Sequence, residues 1–107
     1  MKVRRGFKVI AEFSIHPIGE GTSLSRYVAA ATEELQKHEG LRLTTNPMGT
    51  VIEADHLADI LNAVEVAHER IFQLGAKRVD FTLRVDDRRD KIRIMEDKVH
   101  SLKSVRG

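Results

Sequence analysis

Apolar and polar side chains alternate from Phe7 to Ile15, with Phe7, Val9, Ala11, Phe13 and Ile15 at odd positions and Lys8, Glu12, Ser14 and then His16 at even ones. A period of two marks a strand with one buried face. Ile10 breaks the alternation on the polar side. "HPIGEG" ends the strand, and the period lengthens to that of a helix with Leu24, Val28, Ala31 and Leu35 as its apolar stripe, Thr22 or Ser23 as cap and Gly40 as its stop. "LRLTT" predicts a second strand, Asn46 and Pro47 a turn, and "GTVIEA" a third strand that closes a hairpin with the second. Asp55 stands where a cap belongs before a second helix, which carries Leu57, Ile60, Leu61, Val64, His68 and Ile71 on one face and stops at Gly75. Val79, Phe81, Leu83 and Val85 then alternate with Asp80, Thr82, Arg84 and Asp86 as a fourth strand. "DDRRD", with Asp87 or Asp90 as cap, leads into a last helix from Asp90 to Lys103 bearing Ile92, Met95, Val99 and Leu102.

The order βαββαβ plus a C-terminal helix predicts an α+β, ferredoxin-like sandwich. Its four-stranded antiparallel sheet has spatial order 4-1-3-2, with both main helices on one face. The other face, bearing Ile10, Glu12, Ser14, Thr82 and Arg84, has two readings: a solvated surface or an oligomer interface. The narrow seam of the last helix speaks for the second.

Composition narrows the field. The 107 residues, 41% of them hydrophobic, suit one domain spanning 1–107 with a modest core. Eighteen basic residues against sixteen acidic ones leave a net charge of +2, which does not call for nucleic acid as a partner. The absence of cysteine excludes disulfides and thiolate metal sites. No apolar run reaches the roughly 20 residues of a membrane span, and the N-terminus lacks a signal-peptide pattern, so a soluble cytoplasmic protein without membrane contact is expected. His16, His38, His56 and His100 show no spacing with carboxylates that specifies a metal site. His68, on an apolar helix face, reads as a half-buried, hydrogen-bonded histidine.

The chemistry concentrates where strand ends meet. In the expected topology the end of the first strand lies beside the start of the third, so Ser14 and His16 approach Met48, Gly49 and Thr50. The hydroxyls and glycines of "GEGTS" open the first helix at the same rim. Gly49 admits either a bulge or a close-approaching ligand. Glu12 faces away from the core, and Glu53 joins it if Val51 does too; the other register turns Thr50 and Ile52 outward instead. Two carboxylates on one sheltered face require a cation, a proton or a basic neighbour such as Arg84. No nucleophile or accompanying motif turns them into a catalytic pair. In "DDRRDK", Arg88, Arg89 and Lys91 are solvated cations or, as a minor alternative, an anion site.

"IAEFSIHPIGEGTSLSRYVA", "NPMGTVIEAD", "AHERIFQLGAKRVDFTLRVDDRRDK" and "EDKVHSLK" together resemble the thiamine-binding protein family, small ferredoxin-like domains related to the YkoF-like binders of thiamine and hydroxymethylpyrimidine. The resemblance covers nearly the whole chain. It implies non-catalytic capture of thiamine or its pyrimidine moiety near the sheet and subunit interface, with no cofactor and no metal. It also implies sheet-to-sheet dimers that pair into tetramers, so a homodimer or homotetramer is expected. Carried onto this sequence, the ligand contacts are Glu12, Ser14, Thr22, Ser23, Met48, Gly49, Thr50 and Glu53. An aminopyrimidine matches carboxylates and hydroxyls, a thiazolium is a fixed cation suited to acidic neighbours, and Met48 offers a soft contact to a ring. The chain departs from the family's usual pattern at Asn46, Ala54 and His56. An RNA-recognition module shares the element order but needs aromatic rings on the bare face, where this chain has Ile10 and Glu12. A regulatory small-molecule-sensing module or a small enzyme using the same pocket is the alternative.

Overall fold

The computed structural model describes residues 8–21, 24–90 and 95–106. Its elements follow the expected order: β1 (Val9–Pro17), α1 (Ser25–Lys37), β2 (Leu41–Asn46), β3 (Gly49–Ala54), α2 (Leu57–Gln73), β4 (Val79–Asp87) and α3 (Met95–Arg106). The four strands form one antiparallel sheet in the order β2-β3-β1-β4, which is the ferredoxin-like order read from its other edge. Both α1 and α2 pack on the sheet and on each other. The core between these layers unites Val9, Ala11, Phe13 and Ile15 of β1 with Ile52 and Ala54 of β3 and with Leu35, Ile60, Val64 and Ile71 of the helices. Ile60 and Ile71 are wholly buried, each a contribution of about 1.5–3 kcal/mol from apolar transfer.

Several local expectations are corrected. The residue at the N-cap of α1 is Leu24, without a side-chain cap bond, while Thr22 and Ser23, expected as caps, lie outside the described residues. The buried stripe of α1 is Tyr27, Ala30, Ala31 and Leu35, and Val28 is 44% exposed. In α2 the buried face is Ile60, Ala63, Val64, Ala67 and Ile71, with Leu57 and Leu61 largely exposed. Both faces are turned toward their alanines, whose small side chains let the two packed helices approach closely. A period of 3.6 identifies a helix, but it does not choose between adjacent rotations about its axis. The N-cap of α2 is His56 rather than Asp55, and Asp55 is bound by the Lys8 ammonium group. Gly75 does end α2: it has φ +109°, and its N–H donates to Phe72 O at 3.0 Å.

The last helix is described over Met95–Arg106, and the stretch 91–94 between it and the expected start at Asp90 lies outside the described residues. Asp87 belongs to β4, where it receives Arg89, and Asp90 receives Arg88. Ile92 lies outside the described residues. Met95 is buried and covers part of the outer sheet face, so that face is not wholly bare. No helix among the described residues is long and apolar enough to cross a membrane.

Candidate functional site

The hairpin tip explains how the site is built. Asn46 pairs with Gly49, leaving Pro47 and Met48 as a two-residue loop, and Asn46 Oδ1 accepts a hydrogen bond from the Met48 N–H at 2.9 Å. A Cβ at Gly49 would lie 2.7 Å from the carbonyl oxygen of Phe13 and 3.5 Å from Cβ of Ser14. Glycine is required here by backbone approach, since Phe13 belongs to the central strand and cannot give way easily.

β1 runs on past the start of β3, and α1 lies across the helix side of that corner. The three leave a cavity of about 250 Å³. Phe13, Ile15, Val28 and Leu35 supply its apolar lining, and Ser14, Thr45, Asn46, Met48, Gly49 and Thr50 contribute its hairpin and strand side. Thr50 is 6% exposed, whereas Met48 at the loop tip is 83% exposed. Thr32 also borders the space, its hydroxyl donating to Val28 O at 2.9 Å. The cavity therefore combines a buried hydroxyl, a backbone-rich rim and an apolar floor.

Of the residues expected at the site, Met48, Gly49 and Thr50 are brought together here, and Ser14 borders the same cavity although the alternation of β1 puts its side chain on the outer face with Thr82. Glu12 and Glu53 are not part of this cavity. The register pairs Ile10 with Glu53 and Glu12 with Val51, so Val51 and both carboxylates share the outer face while Thr50 and Ile52 turn to the helices. This settles the choice between the two registers. Glu12 borders a separate surface hollow with Ile10, Val51, Arg84 and Asp86, and Arg84 is its direct cross-strand neighbour. Thr22 and Ser23 lie outside the described residues.

Glu53 meets a different partner. Its carboxylate is 7% exposed and receives the Arg42 guanidinium through Nε at 3.3 Å and Nη2 at 2.8 Å. The same Nη2 donates to Glu96 Oε1 at 2.6 Å, and the N–H of Met95 donates to Glu53 Oε2 at 2.9 Å. Thr44 Oγ1 adds a contact to Met95 Sδ at 3.6 Å. A buried carboxylate thus holds one of the free N–H groups at the start of α3, favoured by the helix dipole. Glu53, then Glu96, raises the pKa of the Arg42 guanidinium, and the hydrogen bond from Arg42 holds the Glu96 carboxyl below its ordinary range. Arg42 was absent from the expected set, yet counting back from the Asn46–Gly49 pair in a two-residue hairpin sets it opposite Glu53. Val28 and Thr32 were likewise missed; their spacing of four is the signal that they share one side of α1.

His68 is half-buried, edge-on to the rings of Phe72 and Phe81 at 5.0 and 5.8 Å. Among the described residues no group of three or more His, Cys, Asp or Glu gathers as a metal site.

The fold and this corner define a small ferredoxin-like domain with one cavity between helix and hairpin. Its sequence matches the profile of the family described as thiamine-binding protein over residues 11–103, and the chain belongs to that family. It is similar to a UPF0045 protein of Methanothermobacter thermautotrophicus, 47% identical over 96 residues covering 89% of this chain and 96% of that one. The UPF0045 protein YqgV of Bacillus subtilis is 38% identical, over 87% of this chain and 92% of its own. A solved hypothetical protein of Methanocaldococcus jannaschii superposes with a TM-score of 0.82 at 41% identity, covering 90% of this chain and 96% of that one.

Proposed function

We propose that this chain reversibly binds thiamine, through its aminopyrimidine ring, in the cavity between α1 and the hairpin tip, and does no chemistry on it. The observation that carries the reading is the convergence of Met48, Gly49 and Thr50 on one cavity in a chain of the thiamine-binding family. Size supports it. At about 250 Å³ the space falls just below the roughly 300 Å³ at which sites for drug-sized ligands begin, so it suits one heteroaromatic ring with the remainder of the ligand extending past Met48. The Thr50 hydroxyl and the hairpin's polar groups meet the ring's N–H donors and nitrogen acceptors, while Phe13, Val28 and Leu35 receive its faces. Thr22 and Ser23, just before α1, remain candidates on the sequence alone. Assembly as a homodimer or homotetramer in the cytoplasm is part of the same reading.

The test is ligand-induced thermal stabilisation. At a ligand concentration about 100 times the dissociation constant, binding to the native state adds roughly 2.7 kcal/mol. Thiamine and hydroxymethylpyrimidine should both raise the melting temperature. No shift with either, or with thiamine phosphates, at millimolar concentration would overturn the proposal. Turnover of any of them, seen by mass spectrometry, would favour a small enzyme instead.

A further inference from the structure

Among the described residues that line the cavity between α1 and the hairpin tip there is no Lys, Arg, Asp or Glu. A phosphate or a thiazolium therefore finds no carboxylate, ammonium or guanidinium partner inside. What such walls can read is the pattern of hydrogen-bond donors and acceptors on a neutral ring. Thr45 and Thr50 carry that reading on the sheet side, paired across β2 and β3, and Thr32 carries it on the helix side.

The hydroxyls differ in what they have left to offer. Thr50 is 6% exposed, and its hydroxyl has no hydrogen-bond partner among the described residues. Burying an unbonded hydroxyl is unfavourable, and a ligand atom in the cavity relieves it. Its proton is free to turn, so Thr50 can donate or accept. Thr32 has less freedom, because its Oγ1 already donates to Val28 O at 2.9 Å, the bond that a helical threonine makes to the preceding turn. Only its lone pairs remain. Toward a ligand Thr32 is an acceptor, and donating instead would give up the bond to Val28.

An aminopyrimidine sets a donor, its exocyclic amine, beside an acceptor, its ring nitrogen. An oxopyrimidine reverses both, with a carbonyl in place of the amine and a proton on the nitrogen. We infer, resting on the thiamine reading above, that Thr32 is the residue that selects the amino form: its Oγ1 accepts from the exocyclic amine while the Thr50 hydroxyl donates to the neighbouring ring nitrogen. Against the oxo form Thr50 adapts by accepting. Thr32 cannot, and its lone pairs meet those of the carbonyl. Selection thus falls on a side chain of α1, outside the hairpin motif that builds the rest of the rim.

Oxythiamine is the probe, since it carries a carbonyl where thiamine has the amine. Calorimetric titration of the parent protein should show thiamine binding about ten-fold more tightly, as expected when one hydrogen bond is lost and an acceptor is left facing an acceptor. Thr32→Val keeps the shape and removes the lone pairs, so thiamine should weaken until the two ligands bind about equally. Thr32→Ser retains a hydroxyl able to make the same bond to the preceding turn and should retain the preference. A merely structural role for Thr32 would weaken both ligands alike and leave their ratio at the parent's value. Thr32→Ala, which favours the helix more than valine does, carries the same expectation and replaces Thr32→Val if that protein does not fold. A parent protein that binds thiamine and oxythiamine equally, or a folded Thr32→Val protein that keeps the preference, overturns the inference and leaves the thiamine reading standing. A parent protein that binds neither overturns both.

Discussion

Replacing Gly49 by alanine asks whether this glycine serves the backbone or the ligand. The new Cβ would sit 2.7 Å from the Phe13 carbonyl oxygen, whereas ordinary contact begins at 3.4 Å. Phe13 cannot retreat freely, because it is paired with Thr50 on one side and Leu83 on the other. The strain must therefore separate the hairpin tip from β1, at the mouth of the cavity. Forcing a methyl group into a packed site costs about 1–3 kcal/mol. In a domain of this size each kcal/mol lowers the melting temperature by roughly 4–8 °C. Urea unfolding and thermal melts of the unliganded Gly49→Ala protein measure that loss directly, with no ligand to confuse the two roles. A variant within about 0.5 kcal/mol of the parent, the range of an innocuous surface change, would refute the backbone argument and leave ligand clearance as the reason for glycine.

Thr50→Val keeps the shape of a residue that is 6% exposed and removes its hydroxyl; thiamine binding should weaken by about 1 kcal/mol, roughly five-fold, in isothermal titration, with folding nearly unchanged. An equal loss of folding would assign Thr50 a structural role. Arg42→Ala strips the buried Glu53 carboxylate of its guanidinium partner; the protein should unfold at lower urea concentration than the parent, and hydrogen exchange at Met95 should rise. The docking of α3 should also depend on pH. Because Arg42 depresses the Glu96 carboxyl below its ordinary value of 4.5, Glu96 contributes stability above that value and loses it as pH falls through its lowered value. Exchange at Met95 should accelerate on acidification below about pH 4.5 and less steeply in Glu96→Gln; identical profiles for the two proteins would remove Glu96 from the latch.

Much of the site was legible one segment at a time. The alternation of β1 and β4, the two-residue hairpin and the stop at Gly75 all follow from local rules of period and turn chemistry. Ser14, Gly49 and Thr50 could be brought to one rim because topology fixes which strand ends are neighbours. The buried faces of α1 and α2 were less readable, since Tyr27, Ala30, Ala63 and Ala67 are selected by how closely two helices pack. The partner of Glu53 was readable in part: hairpin counting reaches Arg42, but Met95 and Glu96 arrive from a helix more than forty residues further along the chain.

The sequence by itself determined the order of elements, the ferredoxin-like plan and the family, because these rest on periodicity and on contiguous motifs. Only the tertiary structure decided that Glu53 lies on the outer face and anchors α3, that Glu12 is excluded from the cavity holding Thr50, and that Gly49 yields to the Phe13 carbonyl. Each of those facts depends on which side of a sheet a residue faces and what crosses it there, and a strand shifted by one residue would reverse every such assignment.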